Sequence, residues 1–221
     1  MKERLYVIVF VVLLGLVAAA LLTVANSVLF PKYEQNVERE AKGNVLIALS
    51  IPGWDKARVK TATIEEIKAT FDKYIVAVPA EEKPDFYMGY ELKEDGTKGD
   101  LVGYAFKITG AGFWDRISGF LAVDPEVEKV IGITFYEDAE TPGLGHKINE
   151  PEWQATWVGR SIYRPGTDEP WIGITPVRRD KPANEVDAIS GATETSGAVQ
   201  KFLNKQLKEF VEKVKAYKAG Q

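Results

Sequence analysis

The chain has 221 residues, with 28 Lys and Arg against 32 Asp and Glu, one histidine and no cysteine, for a formal net charge of −4. That length holds one or two domains, and the slightly acidic balance lacks the basic footprint of a nucleic-acid-binding protein. Without cysteine, disulfides, thiolate catalysis, iron–sulfur ligation by this chain and cysteine zinc sites are excluded, and a lone His146 argues against His-rich metal sites and bis-histidine haem.

The first predicted element is an uncharged apolar run from Leu5 to Phe30, stopped by Pro31 and Lys32. A bilayer is crossed by roughly 20 apolar residues, so residues 5–30 are long enough to lie in membrane lipid as a single-pass anchor. Lys2 and Arg4 precede the run, whereas Lys32, Glu34, Glu38 and Arg39 follow it. The positive-inside bias then places the N-terminus in the cytoplasm and the rest of the chain outside the cell membrane. A signal peptide cleaved near Ala18-Ala19-Ala20 is the competing reading. The length of the run favours the anchor, because a signal peptide's apolar region covers only about 7–15 residues. Gly15, Ala18 and Ala19 are small residues suited to close contact with neighbouring helices.

Residues 33–50 place Val37, Ala41, Val45, Leu46 and Leu49 near helical spacing, so the chain leaves the membrane as a helix, weakened at Gly43 and ended by Pro52-Gly53. Thr63-Ile64-Glu65-Glu66 has the form of a capping box and opens a short helix through Tyr74, with Ile64, Ile67 and Phe71 inward. Phe86–Leu92, the turn Glu94-Asp95-Gly96 and Leu101–Ile108 read as a hairpin. Gly119–Val123, the turn Asp124-Pro125 and Val130–Tyr136 repeat the pattern. Arg160–Pro170 is polar and turn-rich, Trp171–Val177 is a last strand candidate, and Arg178–Asn184 is a charged loop. A final helix starts near Thr195 to Ala198 and buries Val199, Phe202, Leu203, Leu207, Phe210, Val211 and Val214. The expected architecture is α+β: a transmembrane anchor over 1–31, a membrane-proximal helical segment over 32–80 and a mixed α+β domain over 81–221.

The approach to that helix reads Asp187-Ala188-Ile189-Ser190-Gly191-Ala192-Thr193-Glu194-Thr195. Gly191 and Ala192 keep the backbone uncluttered where free N–H groups and the positive end of the helix dipole favour an anion. The hydroxyls of Ser190, Thr193 and Ser196 add donors. The same residue types also suit an ordinary N-cap. No G-x-S-x-G elbow accompanies Ser190 and His146, which leaves a Ser-His-Asp hydrolase unsupported.

This stretch matches the D-x-x-[S/T]-G-A-[S/T]-x-T acceptor pattern used by flavin transferases. Together with Gly110-Ala111-Gly112-Phe113-Trp114 and Glu140-Thr141-Pro142-Gly143-Leu144-Gly145, it makes roughly Tyr104–Leu207 resemble one family. That family comprises the C subunit of the sodium-translocating NADH:quinone oxidoreductase and the related G subunit of the Rnf ferredoxin:NAD⁺ complex. The segments Gly119–Val123, Ile133–Gly145, Glu152-Trp153 and Trp157-Val158-Gly159 are closer to the quinone-reductase protein, and the short chain length is closer to the other, so both complexes stay open.

The resemblance implies FMN joined covalently by a phosphoester to Thr195 and attached by a flavin transferase. Ser190, Gly191, Ala192 and Thr193 would surround the link. Trp114 and Leu144 would offer apolar faces to the flavin, Thr141 a side-chain donor, and Gly143 and Gly145 close backbone approach. Asp187 is read as part of what the transferase recognises, Glu194 as a solvated helix-start carboxylate, and His146 and Lys147 as surface residues. The implied function is an extracytoplasmic electron-transfer flavoprotein, working with integral-membrane subunits of an ion-translocating redox complex, with no metal and no catalytic residue of its own. A stand-alone membrane-anchored flavinylated reductase domain and a non-redox assembly subunit are the alternatives.

Overall fold

A computed structural model of the chain describes residues 2–78 and 85–220. The side chain of Lys2 and the boundary expected between residues 80 and 81 lie outside the described residues. Two compact units result, one ending at Arg39 and the other beginning at Glu40. Most of helix α1 (Lys2–Ala48) belongs to the first unit, and it carries Pro31 inside it without ending there, although a proline in a helix interior removes a hydrogen bond and costs about 3 kcal/mol. Its large apolar side chains, from Leu5 to Val37, are exposed all round. By length and composition it is the one helix among the described residues suited to cross a membrane.

In the second unit the chain turns after α1 at Ser50 (φ +53°) and Gly53 (φ +80°), where Pro52-Gly53 signals the break. Helix α2 (Lys56–Thr61) and helix α3 (Ile64–Tyr74) follow. The capping box forms in full: Glu66 N–H donates to Thr63 Oγ1 at 3.2 Å, and Thr63 N–H donates to Glu66 Oε2 at 3.0 Å. Ile67 and Phe71 are buried and Ile64 is half-buried.

Strands β1 (Ile75–Val78), β2 (Phe86–Leu92), β3 (Lys98–Ala111), β4 (Arg116–Val123) and β5 (Val130–Glu137) form a five-stranded sheet in chain order, antiparallel throughout. The alternation of β3 sends Tyr104, Phe106 and Ile108 to one face and Ala105 to the other. On the first face lies helix α5 (Thr193–Ala219), through Val199, Leu203, Leu207, Phe210 and Val214, with Phe106 and Phe210 stacked at 4.1 Å between ring centroids. On the second lie the last turn of α1 and helix α3, which cover Ala105, Phe120 and Ala122. The sheet is therefore buried on both sides, and the architecture is α+β as the sequence indicates.

Two glycines permit the second layer. A Cβ on Gly132 would stand 2.3 Å from the Ala48 carbonyl oxygen, so only glycine lets the end of α1 rest on β5. Gly43, which weakens the helix on propensity alone, would place a Cβ 2.6 Å from a methyl of Val59, so it marks the close approach of α2.

Beyond β5 the chain forms a 3-10 turn (Gly145–Asn149), helix α4 (Pro151–Ala155) and a parallel pair, β6 (Gly173–Thr175) with β7 (Glu185–Asp187). The strand expected over Trp171–Val177 shortens to β6, and Pro176, which has no N–H for a ladder, follows directly.

Gly132→Val is expected to destabilise the chain by about 1–3 kcal/mol, since a branched side chain must displace helix backbone. Gly197→Ala, whose Cβ meets nothing within 4 Å, should instead stabilise α5 by about 1 kcal/mol. Denaturant midpoints of the detergent-solubilised chain should move in opposite directions.

Candidate functional site

Three chain segments converge on one carboxylate. The tip of the β3–β4 hairpin, closed by Gly112 N–H donating to the Asp115 carbonyl at 2.7 Å, presents the Phe113 and Trp114 amides. Both donate to Glu140 Oε1, at 2.8 and 3.2 Å. The other oxygen, Oε2, accepts the Thr195 hydroxyl at 2.6 Å. Glu140 is 4% exposed and Thr195 3%, so this contact lies inside the protein. Its shortness fits a charge-assisted O–H···O⁻ bond.

Glycine makes room for that carboxylate. A Cβ on Gly112 would lie 2.5 Å from Glu140 Oε1, and one on Gly145 would lie 2.5 Å from Thr195 Oγ1 and 2.7 Å from Glu140 Oε2. Gly112 and Gly145 thus share a steric reason, the same buried pair of side chains. Gly143 (φ +75°) and Gly191 (φ +77°) serve backbone turns instead.

Helix α5 begins at Thr193, slightly before the expected start at Thr195 to Ala198, and its N-cap is Ala192, with no side-chain cap bond. Thr195 therefore stands within the first turn and is not the cap. Its hydroxyl addresses Glu140 rather than the helix's own N–H groups. The first-turn amides of Thr193, Glu194 and Thr195 have no intrahelical acceptor. Ser196 turns inward and accepts the Ile189 N–H at 3.1 Å, and its burial, at 2% exposed, removes it from the expected donor set.

A cleft of about 290 Å³ opens on this point, lined by Phe113, Glu140, Thr141, Leu144 and Gly145 on one side and by residues 191–195 on the other. Of the residues singled out by sequence, Thr195, Gly191, Ala192, Thr193, Thr141 and Leu144 meet there. Trp114 stands beside it: its Nε1–H donates to Thr141 Oγ1 at 3.0 Å, its ring meets Phe113 edge-on at 4.8 Å, and it is 66% exposed. Gly143 shapes the turn before Leu144, and Ser190 is exposed outside the lining. Asp187 is held by an ion pair with Lys181, and its carbonyl accepts Trp153 Nε1–H at 2.8 Å, so within the fold it fastens β7.

The residue that sequence reasoning left out is Glu140. An acid before Thr-Pro-Gly looks like the solvated start of a turn, and only the tertiary fold brings Thr195 to it. The one local signal is a pair of glycines, Gly112 and Gly145, in segments that each need space.

The loop bearing Glu140 is braced from below. Asp138 Oδ1 accepts the Glu140 N–H at 3.1 Å and pairs with His146 Nδ1 at 2.9 Å, and Oδ2 accepts Asn149 Nδ2 at 2.6 Å. Lys56 Nζ–H donates to the Asn149 carbonyl at 2.9 Å and to its Oδ1 at 3.0 Å. Burial lowers the Lys56 amine to about 8, a shift that Asp138 opposes and Lys60 reinforces. His146, read from sequence as a surface residue, is exposed but paired.

Residues 112–208 match the family described as FMN-binding domain. The C subunit of the Na⁺-translocating NADH-quinone reductase of Yersinia pestis is 37% identical over 118 residues, 52% of this chain and 42% of that protein. Its Pasteurella multocida counterpart is 32% identical over 151 residues, 67% of this chain and 55% of that one. The chain spans about half the length of these curated relatives. The crystal structure of Shewanella oneidensis NqrC aligns with a TM-score of 0.62 at 20% identity, covering 81% of this chain and 98% of that one. The same protein from Parabacteroides distasonis aligns at 0.61 and 21% identity, covering 81% and 93%. At that identity the likeness is one of fold.

The brace under the loop has a pH signature. Because the Lys56 amine titrates near 8 in the folded chain and near 10.4 when unfolded, the unfolded state binds more protons between those values. Stability from this group therefore rises with pH across that window, and the cost of its buried charge is fully present below pH 8. In thermal melts from pH 7 to 10, wild type should gain on Lys56→Met above pH 8. Parallel curves would remove Lys56 from the account.

Proposed function

We propose that this chain, a member of the FMN-binding domain family through residues 112–208, carries FMN as a phosphoester on Thr195 Oγ1. It would serve as the membrane-anchored electron-transfer subunit of an ion-translocating redox complex of the sodium-translocating NADH:quinone reductase or Rnf type. The observation that carries the reading is the Thr195 hydroxyl at the floor of a cleft, beside the first-turn amides of a long helix. The place next to it is kept open by Gly145, where a Cβ would stand 2.5 Å from that oxygen. This cradle fits a phosphate ester, and helix-start amides favour its negative charge.

When bound, FMN supplies an isoalloxazine ring that accepts and releases electrons. The chain's own residues tether and surround it. Thr195 would hold the ester, and the first-turn amides of Thr193 and Glu194 would be available to bond its phosphate. Thr141, whose oxygen accepts from Trp114, keeps its own proton to donate. Phe113, Trp114 and Leu144 give exposed apolar surface against which a flat ring can rest. A flavin transferase would make the link, and integral-membrane subunits of the complex would supply and withdraw electrons. Helix α1 would sit in lipid with the N-terminus in the cytoplasm and the FMN-binding domain outside.

Thr195→Ala should abolish flavin fluorescence in denatured, washed protein. Losing a hydrogen bond to a charged group costs about 1.5–3 kcal/mol, within the roughly 5–15 kcal/mol of a typical domain, so the fold should survive. Trp114→Ala should retain covalent flavin while shifting its absorption bands and raising its fluorescence, as an adjacent indole is lost. Covalent flavin on Thr195→Ala would overturn the attachment site.

Topology gives an independent check. The FMN-binding domain should resist protease added from the cytoplasmic side of sealed vesicles and be cleaved from the other. It should also stay with membranes in high salt, because burial of a spanning helix is not screened.

A further inference from the structure

We infer that Glu140 is the proton acceptor for its own chain's flavinylation: it takes the hydrogen of Thr195 Oγ1 as that oxygen attacks phosphorus, and then keeps it. The inference rests on the reading of Thr195 as the FMN attachment site.

A threonine hydroxyl is a weak nucleophile until a base removes its proton. Forming a phosphoester also requires an activated phosphate, and a flavin dinucleotide has one, its flavin phosphate being joined by an anhydride to a nucleoside monophosphate. In the step, the Oγ1–P bond forms, the anhydride P–O bond breaks and the nucleoside monophosphate leaves with the bonding pair. The Oγ1 proton moves to Glu140 Oε2. Nothing is oxidised or reduced, and total charge is conserved.

The geometry singles out Glu140. Oε2 already accepts the Thr195 hydroxyl at 2.6 Å between oxygens, within the reach required of a general base. The carboxylate cannot swing away, because the Phe113 and Trp114 amides hold Oε1. Asp187 is engaged by Lys181, and His146 by Asp138.

The product supplies the second half of the argument. A phosphodiester on Oγ1 carries a negative charge next to a carboxylate that is 4% exposed. Two like charges brought close together away from water disfavour full ionisation of both. A proton left on Oε2 removes the conflict and turns Glu140 from acceptor into donor toward the new ester, while Oε1 keeps its two backbone amides. The same proton would then serve the site with its hydroxyl free and with its ester formed.

The test uses the full chain in detergent, purified without flavin, with a flavin transferase and flavin adenine dinucleotide. Initial rates are read as covalent fluorescence on denaturing gels. Glu140→Gln keeps the shape and the acceptor for the two amides but is a poor base, so labelling should slow at least hundredfold. Glu140→Asp keeps a carboxylate with shorter reach and should fall between Glu140→Gln and wild type. A merely structural carboxylate predicts the reverse order, with the isosteric amide the better substitute. Labelling of Glu140→Gln at the wild-type rate, or faster than Glu140→Asp, overturns the inference. Wild type gives a second measurement that needs no variant to fold: the infrared difference between loaded and unloaded protein should contain a protonated-carboxyl C=O band, and its absence overturns the inference. Thr195→Ala, run in parallel, separates the two readings. Label on Thr195→Ala defeats the attachment site itself, whereas an unlabelled Thr195→Ala beside a fast Glu140→Gln defeats the proton role alone.

Discussion

The FMN-binding region depends on the buried carboxylate of Glu140. Placing a charged group where 4% of the residue is exposed is costly unless each oxygen is hydrogen-bonded. Here the Phe113 and Trp114 amides and the Thr195 hydroxyl meet that requirement, and they come from distant parts of the sequence. The carboxylate therefore binds a hairpin tip, a loop and a helix start into one surface. Losing any of its donors leaves the others around an unsatisfied charge. The glycine requirements at 112 and 145 follow from the same constraint, since each would otherwise drive a Cβ into the pair.

The scaffold that delivers these segments is a sheet covered on both faces. On one face, stacking of Phe106 on Phe210 and the row Val199, Leu203, Leu207, Val214 fix the rotation of α5, and that rotation decides which residue of its first turn looks at Glu140. On the other, Gly132 admits the last turn of α1 against β5. From below, Lys56, Asn149, Asp138 and His146 hold the loop that follows β5. Each contact is remote from Thr195 in sequence, yet each limits where the Thr195 oxygen can sit relative to its acceptor.

Much of this was legible in the sequence where local patterns carry the physics. The capping box at Thr63 and Glu66, the bounds of β2 and the buried face of α5 are written in short-range spacing. Strand β1 was not, because Ile75–Val78 follows α3 without a break and shows no alternating burial. The β6–β7 pair was not either, since strands this short exist only through each other and through the Gln200 and Asn204 side chains that bond their backbone region from α5. Ser196 looked like a free donor because inward rotation of a hydroxyl is invisible in a Ser/Thr-rich run. Glu140 escaped for the opposite reason: a carboxylate beside Thr-Pro-Gly has every local mark of a solvated turn, and its burial comes from contacts with Phe113, Trp114 and Thr195 that only the folded chain contains.

The site also separates two demands that a tethered redox group places on its protein. The oxygen proposed for attachment is buried, with Thr195 3% exposed, whereas the surfaces that would be offered to a flavin ring are open, Phe113 at 53% and Trp114 at 66%. A link that must persist gains from exclusion of water, which is the nucleophile that would reverse it. A ring that exchanges electrons with partner proteins gains from lying near the surface, where another centre can approach. The proposed covalent attachment would reconcile the two, because a tethered ring needs no deep, enclosing pocket to stay bound. That is consistent with a shallow cleft of about 290 Å³ at the lower bound of ordinary ligand pockets, which run from about 300 to 1,000 Å³. A site relying on non-covalent contacts alone would have to bury most of its ligand, and the exposure of Trp114 and Phe113 suits the proposed tether better.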